Sequence, residues 1–288
     1  MLLNFPSHPD LKRIVVLNPK GGSGKSTLAT TLAGFLTSRG CPAALMDFDP
    51  QGSAMRWLQN RPSDRPVIHG VAAFDNDPSV TRSFRMQIPR HIRHLVVDTP
   101  AALSSHDLIE FTHGAHAILV PVLPSDIDIH AASRLVADML IVAKVSRRMG
   151  RLGVVANRVR DNTVGYRKLQ RFLTRLSIVV TGELRDSQNY VHASEQGLGI
   201  HEMHPPSRVA KDVESWSPIV AWLEARLGTE LTPRDLFRPE PVESQMLEEH
   251  SVDVTPVDNR PVDDRSVADV AAGTAGGSMH RYAFRRSE

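Results

Sequence analysis

The chain has 288 residues, 41% hydrophobic and 23% charged, which is the composition of a globular protein long enough to bury a sizeable core. No apolar run approaches the roughly 20 residues of a membrane span, no secretory signal opens the chain, and the lone Cys41 excludes an internal disulfide framework and argues against zinc or iron–sulfur centres. A formal charge of +2 hides a division: from Arg238 onward there are 6 basic and 10 acidic residues, whereas the preceding part holds 28 and 22, a basic body compatible with a polyanionic partner.

Short Val/Ile/Leu-rich runs alternate with helical stretches from residue 13 to about 228. Strands are predicted at 13–18, 43–48, 94–98, 117–122, 153–157 and 178–181. Helices are predicted at 26–38, 54–60, 106–113, 128–149, 165–176 and 187–196, with a long final helix at 207–227, kinked near Pro218. Strands that are apolar throughout suit a sheet covered on both faces. The βαβα rhythm therefore predicts an α/β, doubly wound, mostly parallel sheet, with ligands at the carboxyl ends of the strands. Residues 1–232 form the expected domain. Residues 233–288 are rich in Pro, Ser, Asp and Gly and too poor in large apolar side chains to offset their ordering entropy, which predicts a disordered tail.

The strongest chemical signal follows the first predicted strand. Pro19-Lys20-Gly21-Gly22-Ser23-Gly24-Lys25-Ser26-Thr27 joins an apolar strand to an apolar helix. Glycines let the backbone wrap phosphates, so that N–H groups and the helix N-terminus face the anion. In such a loop Lys25 reaches the β- and γ-phosphates and the Ser26 hydroxyl binds Mg²⁺. Pro19 stands where the usual motif begins with glycine. Next, Met46-Asp47-Phe48-Asp49-Pro50-Gln51-Gly52 ends the second strand, where alternation puts Asp47 and Asp49 on one face; a turn and helix cap is the alternative use of the same residues. Third, Leu95-Val96-Val97-Asp98 is an apolar strand ending in an acid, a candidate carboxylate for the Mg²⁺ shell. Thr99-Pro100 would sense the terminal phosphate. Asn157, ending a later strand, carries an amide that matches the adenine edge. The pairs His91/His94, His113/His116 and His201/His204 lack an evident third metal ligand.

Lys20-Gly21-Gly22-Ser23-Gly24-Lys25-Ser26-Thr27 resembles the deviant Walker A loop of the ParA/MinD family of P-loop ATPases, whose signature is the extra lysine at the position of Lys20. The resemblance spans about residues 12–228. It implies a P-loop NTPase fold, ATP and Mg²⁺ as cofactors, and a homodimer in which Lys20 reaches the partner's phosphates, coupling hydrolysis to assembly. It also implies that Asp49 orients the attacking water, that Asp47 supports the Mg²⁺ shell, and that Asn157 reads the base. Family members coat nucleoid DNA without reading sequence and are stimulated by a small adaptor of the ParB or McdB kind. Nucleoid-associated cytoplasmic localisation follows from that resemblance, with Arg158, Arg167, Arg171, Arg185 and Arg208 as candidate phosphate contacts. Arg167 and Arg171, with Arg175, share one helical face, for which a plain solvated surface is the alternative. Segments 121–130 and 55–58 are similar to carboxysome-distributing members, which favours protein cargo over plasmid or chromosome. Two other outcomes are a MinD-like membrane-associated regulator, for which the tail lacks an amphipathic helix, and a nucleotide-dependent scaffold without turnover.

Overall fold

The computed structural model describes residues 8–74, 86–175, 178–229 and 231. The tail expected at 233–288 lies outside them. Strands β1 (Lys12–Val16), β2 (Ala43–Asp47), β3 (His69–Ala72), β4 (His94–Asp98), β5 (Ala117–Val122), β6 (Leu152–Val159) and β7 (Val179–Arg185) form one sheet in the order β3-β2-β4-β1-β5-β6-β7. Every pairing is parallel. The apolar runs are explained by two cores, one on each face. Ile14 and Val16 of β1 enter one core, and Val15 and Leu17 enter the other; Val96 of β4 is likewise separated from Leu95 and Val97.

The helices are α1 (Lys25–Ser38), α2 (Ser53–Gln59), α3 (Ser105–Thr112), α4 (Asp126–Ile141), α5 (Val164–Arg175), α6 (Asn189–Glu195), α7 (Pro206–Glu214) and α8 (Ser217–Leu227). Local chemistry sets several of their starts. Ser104 and Asp107 form a reciprocal capping box on α3, and the Ser125 hydroxyl accepts the Asp128 N–H at the start of α4.

Three elements depart from the sequence expectation. Strand β3 was not foreseen: it is four residues long, contains Gly70, buries only Val71 and pairs on one side alone. The helix expected at 128–149 ends at Ile141, because the chain reverses at Lys144 (φ 51°) to bury Val145, and then makes a 3₁₀ turn, Arg147–Met149. The long final helix is broken into α7 and α8. Trp216 is buried at the junction, and Pro218 falls in the first turn of α8, where its missing N–H breaks no intrahelical bond.

The sheet order decides where chemistry collects. Strands β2, β4 and β1 are neighbours, and Asp98 stands level with Asp47 on one side and Val16 on the other. Their carboxyl ends therefore open onto the segment between β1 and α1.

Candidate functional site

The loop from Asn18 to Gly24 is held from both ends. The Asn18 amide donates to the Pro121 carbonyl (2.7 Å) and accepts the Lys20 N–H (2.8 Å). At the other end, Asn157 Nδ2 donates to the Ser23 carbonyl (2.8 Å). Glycine is required at Gly24: its φ is 91°, and a Cβ there would lie 2.2 Å from Asn157 Nδ2. Helix α1 then begins with no side-chain cap and no acidic residue in its first turn. Its leading N–H groups and positive dipole end are left available to an anion. A cavity of about 560 Å³ lies above the loop, bounded by Gly21, Gly22, Gly24, Lys25, Ser26, Thr27 and Asp49.

Charge is arranged to suit a polyanion with its cation. Lys25 is almost fully buried; burial lowers its pKa, while Asp98 and Asp49 pull it back up. Its ammonium donates to the Lys20 carbonyl at 3.3 Å. Asp98 is completely buried, and among the described residues neither oxygen has a hydrogen-bond partner by geometry, while the Ser26 hydroxyl favours its charged form. Burial first, then Asp47, holds Asp98 up at about 7, against the pull of Ser26 and Lys25. A buried, unsatisfied carboxylate beside a hydroxyl at a phosphate-type loop fits a hard divalent cation that takes its other ligands from phosphate and water.

Asp47 is also fully buried, but its oxygens are occupied. Oδ1 accepts the Asp49 N–H (2.9 Å), and Oδ2 accepts the N–H groups of Ala54 (3.1 Å) and Met55 (3.2 Å), so this carboxylate ties the 48–52 turn to α2. Asp49 is half-buried at the rim, where it accepts the Gln51 N–H (3.0 Å). The segment after Asp98 is joined to the loop through Ala102 N–H to the Pro19 carbonyl (2.9 Å), and Thr99 is buried against the Val16 carbonyl.

A second cavity, about 500 Å³, continues past Gly24 and Thr27 between α2 and α6, with Trp57, Asn157 and Tyr190 in its wall. Asn157 spends one hydrogen on Ser23 and one lone pair on the Arg158 N–H (3.0 Å), and keeps one donor and one acceptor position for a base.

The five candidate arginines do not form one surface. Arg158 and Arg185 line the second cavity, and Arg185 also pairs with buried Asp212 (3.3 Å). Arg208 lies exposed on α7 beside His192. Arg167, Arg171 and Arg175 are exposed along α5, whose opposite side buries Leu169 and Leu173. None of these three pairs with a carboxylate among the described residues, whereas neighbouring Lys168 pairs with Asp126 at 2.7 Å.

Sequence reading missed two groups that shape the site. Asp128 holds Lys20 at 2.5 Å and accepts the Ser125 hydroxyl, whereas the sequence singled out neither as a partner of the loop. Arg61 makes a two-pronged pair with Glu202 (2.7 and 2.9 Å) between the end of α2 and the turn after α6, with both side chains nearly buried. No local pattern links residues 141 apart.

Comparison with known proteins agrees with this geometry. The profile of the CobQ/CobB/MinD/ParA nucleotide binding domain matches residues 14–200. The maintenance of carboxysome distribution protein A of Halothiobacillus neapolitanus is 28% identical over 200 residues, covering 69% of this chain and 91% of that one. Among solved structures, the MinC:MinD cell division complex of Aquifex aeolicus superposes with a TM-score of 0.55 at 16% identity, covering 76% of this chain and 96% of that one. An ATP complex of a Cyanothece McdA variant gives 0.53 at 15%, covering 77% and 98%. At such identities the two structures establish a shared fold.

Proposed function

The chain belongs to the CobQ/CobB/MinD/ParA family of nucleotide-binding domains, and on that premise we propose that it is an ATPase that dimerises on ATP, binds nucleoid DNA without sequence preference and positions an intracellular cargo. The observation that carries this reading is the presence of two lysines in one loop. Lys25 lies at the start of α1, where the loop's own phosphate ligand belongs, while Lys20 is turned to Asp128 and remains about one-third exposed. A loop cation turned away from the loop's own cavity is available to supply charge to a triphosphate held by a partner chain.

In this reading the loop amides and Lys25 bind the phosphates, Ser26 and Asp98 hold Mg²⁺, and Asp49 orients water at the terminal phosphate. Mg²⁺, when bound, neutralises charge on the phosphoryl oxygens. Asp47 supports that shell by fixing the turn that carries Asp49. Asn157 contacts the base. The likeness to a carboxysome-distribution protein makes a protein assembly the favoured cargo, with a small adaptor of the McdB or ParB kind stimulating turnover. DNA contact is assigned first to the unpaired face of α5.

The test is phosphate release by the full chain with ATP and Mg²⁺, with and without DNA, alongside DNA retention over a salt series. Hydrolysis should vanish in Lys25→Ala, and Asp49→Ala should hold an ATP-bound, DNA-retaining dimer. Retention should require ATP, and replacing Arg167, Arg171 and Arg175 by alanine should reduce the log–log salt slope by about 3. Turnover intact in Lys25→Ala, or retention indifferent to nucleotide and salt, contradicts the reading. Absence of turnover with DNA and adaptor present would indicate a scaffold, and vesicle binding in place of DNA binding a membrane regulator.

A further inference from the structure

Strand β6 is irregular where it meets the site. Its pairing with β7 shifts register twice, first between Val154 and Val155 and again between Ala156, opposite Glu183, and Val159, opposite Arg185. The residues in the second interruption are Asn157 and Arg158. Bulges beside sites re-aim side chains, and this one aims both: Asn157 goes to the Ser23 carbonyl, and Arg158 is turned out in a left-handed conformation, φ 50°, which non-glycine residues seldom adopt. Arg158 is exposed and its side chain fills no core.

Arg158 lines both cavities, as do Gly24 and Thr27, and so stands where the space above the phosphate loop passes into the space beside Asn157. Its neighbours are neutralised: Arg160 pairs with Asp186 (2.5 Å) and Arg185 with Asp212 (3.3 Å). No carboxylate among the described residues pairs with Arg158. A guanidinium without a counter-charge, held by an uncommon backbone conformation at the junction of a phosphate cavity and a nucleoside cavity, has the chemistry of a phosphate ligand.

We propose that Arg158 binds the α-phosphate end of the nucleotide within its own chain, as a specificity element distinct from both loop lysines and from the DNA-contacting face. The assignment rests on the nucleotide reading of the loop and adds to it a cation that acts before dimerisation. It predicts a dependence on Arg158 that ADP and ATP share.

Fluorescent mant-ADP and mant-ATP titrations of the full chain test this, with Arg158→Ala, Arg158→Lys and Arg158→Gln each made in the parent and in a Lys20→Ala background, and melting curves to verify folding. Arg158→Ala should weaken both nucleotides about equally, by about tenfold. Arg158→Lys should recover part of the loss, and the effect should persist with Lys20→Ala, where dimerisation is absent. Should Arg158→Ala fail to fold, Arg158→Gln gives the same comparison. Unchanged affinity for both nucleotides overturns the proposal, as does a loss confined to ATP and dependent on Lys20, which would place Arg158 across a dimer. Unchanged affinity with a shallower DNA salt slope also overturns it and makes Arg158 a DNA contact. If the parent chain binds neither mant-nucleotide, the nucleotide reading itself falls.

Discussion

The Lys20 ammonium lies 2.5 Å from Asp128 Oδ2, and the two ends of this pair differ sharply in environment: the lysine side chain is 34% exposed and the aspartate 2%. Asp128 also receives the Ser125 hydroxyl, and its Oδ1 is buried without a partner among the described residues. The lysine assigned to a second protomer is therefore neutralised within its own chain, and reaching across requires breaking this pair. Asp128→Asn keeps the shape and weakens the hold. It should lower the ATP concentration that gives half-maximal dimer by about fivefold or more, the scale of a coupling of 1 kcal/mol. Sedimentation at a series of ATP concentrations reads this directly; an unchanged or raised midpoint would show that the pair does not restrain assembly.

Gly24 is the position where the loop tolerates least. A methyl group would meet Asn157 Nδ2 at 2.2 Å on a backbone at φ 91°. Gly24→Ala should abolish nucleotide binding and cost roughly 1–3 kcal/mol of stability through strain. By contrast, an added Cβ at Gly21 meets nothing within 4 Å and φ is not in the left-handed range, so Gly21→Ala should fold like the parent. Equal loss of stability in the two variants on urea denaturation would contradict this account of the loop.

The Arg61–Glu202 pair ties the segment after α2 to the turn after α6, the two helices that wall the second cavity. Burial works against the Glu202 carboxylate, but the Arg61 hydrogen bonds, His201 and the Gly199 N–H bring it down to about 2. Arg61→Ala strands a buried carboxylate and should cost about 3–5 kcal/mol, whereas changing both residues to methionine should cost much less. A single substitution costing under about 1 kcal/mol in urea denaturation would show that the pair is not a structural clamp.

Stability should decline in mild acid through buried histidines. Burial lowers His94 and His201 to about 4, against an ordinary value of 6.5. Below 6.5 the unfolded chain takes up protons that the folded chain refuses, so the stability present above 6.5 is lost as pH falls towards 4, by up to roughly 1.4 kcal/mol per pH unit for each histidine. Asp98 acts in the opposite sense. Held up at about 7 from 3.8, it is protonated in the folded chain before the unfolded one, and favours folding as pH falls through the same range. Asp98→Asn should therefore steepen the acid loss between pH 6.5 and 4.5. A shallower slope than the parent's in urea denaturation at stepped pH would refute this balance.

What was legible in the sequence were the parts encoded by neighbours in the chain. The runs Ile14–Leu17 and Leu95–Val97 announced buried parallel strands because both faces are covered, and the Gly-rich run announced the loop that joins β1 to α1. Strand β3 was illegible because a short edge strand with Gly70 has no periodic pattern, and it is held by β2 rather than by its own composition. Lys20 was singled out by its loop, yet its partner Asp128 comes from a helix 108 residues away, brought near only because β5 lies beside β1 in the sheet. The arginine candidates were chosen by charge and spacing. Their separation into cavity and surface groups depends on the bulge in β6 and on the carboxylates at Asp186 and Asp212, which charge patterns do not encode.

The most direct measurement is the sedimentation mass of the purified full chain with and without ATP and Mg²⁺, alongside Lys20→Ala. A nucleotide held between two chains requires the parent to double its mass on ATP, to stay monomeric on ADP, and Lys20→Ala to bind ATP yet remain monomeric. A mass indifferent to ATP in the parent, or doubling equally in Lys20→Ala, would contradict the account.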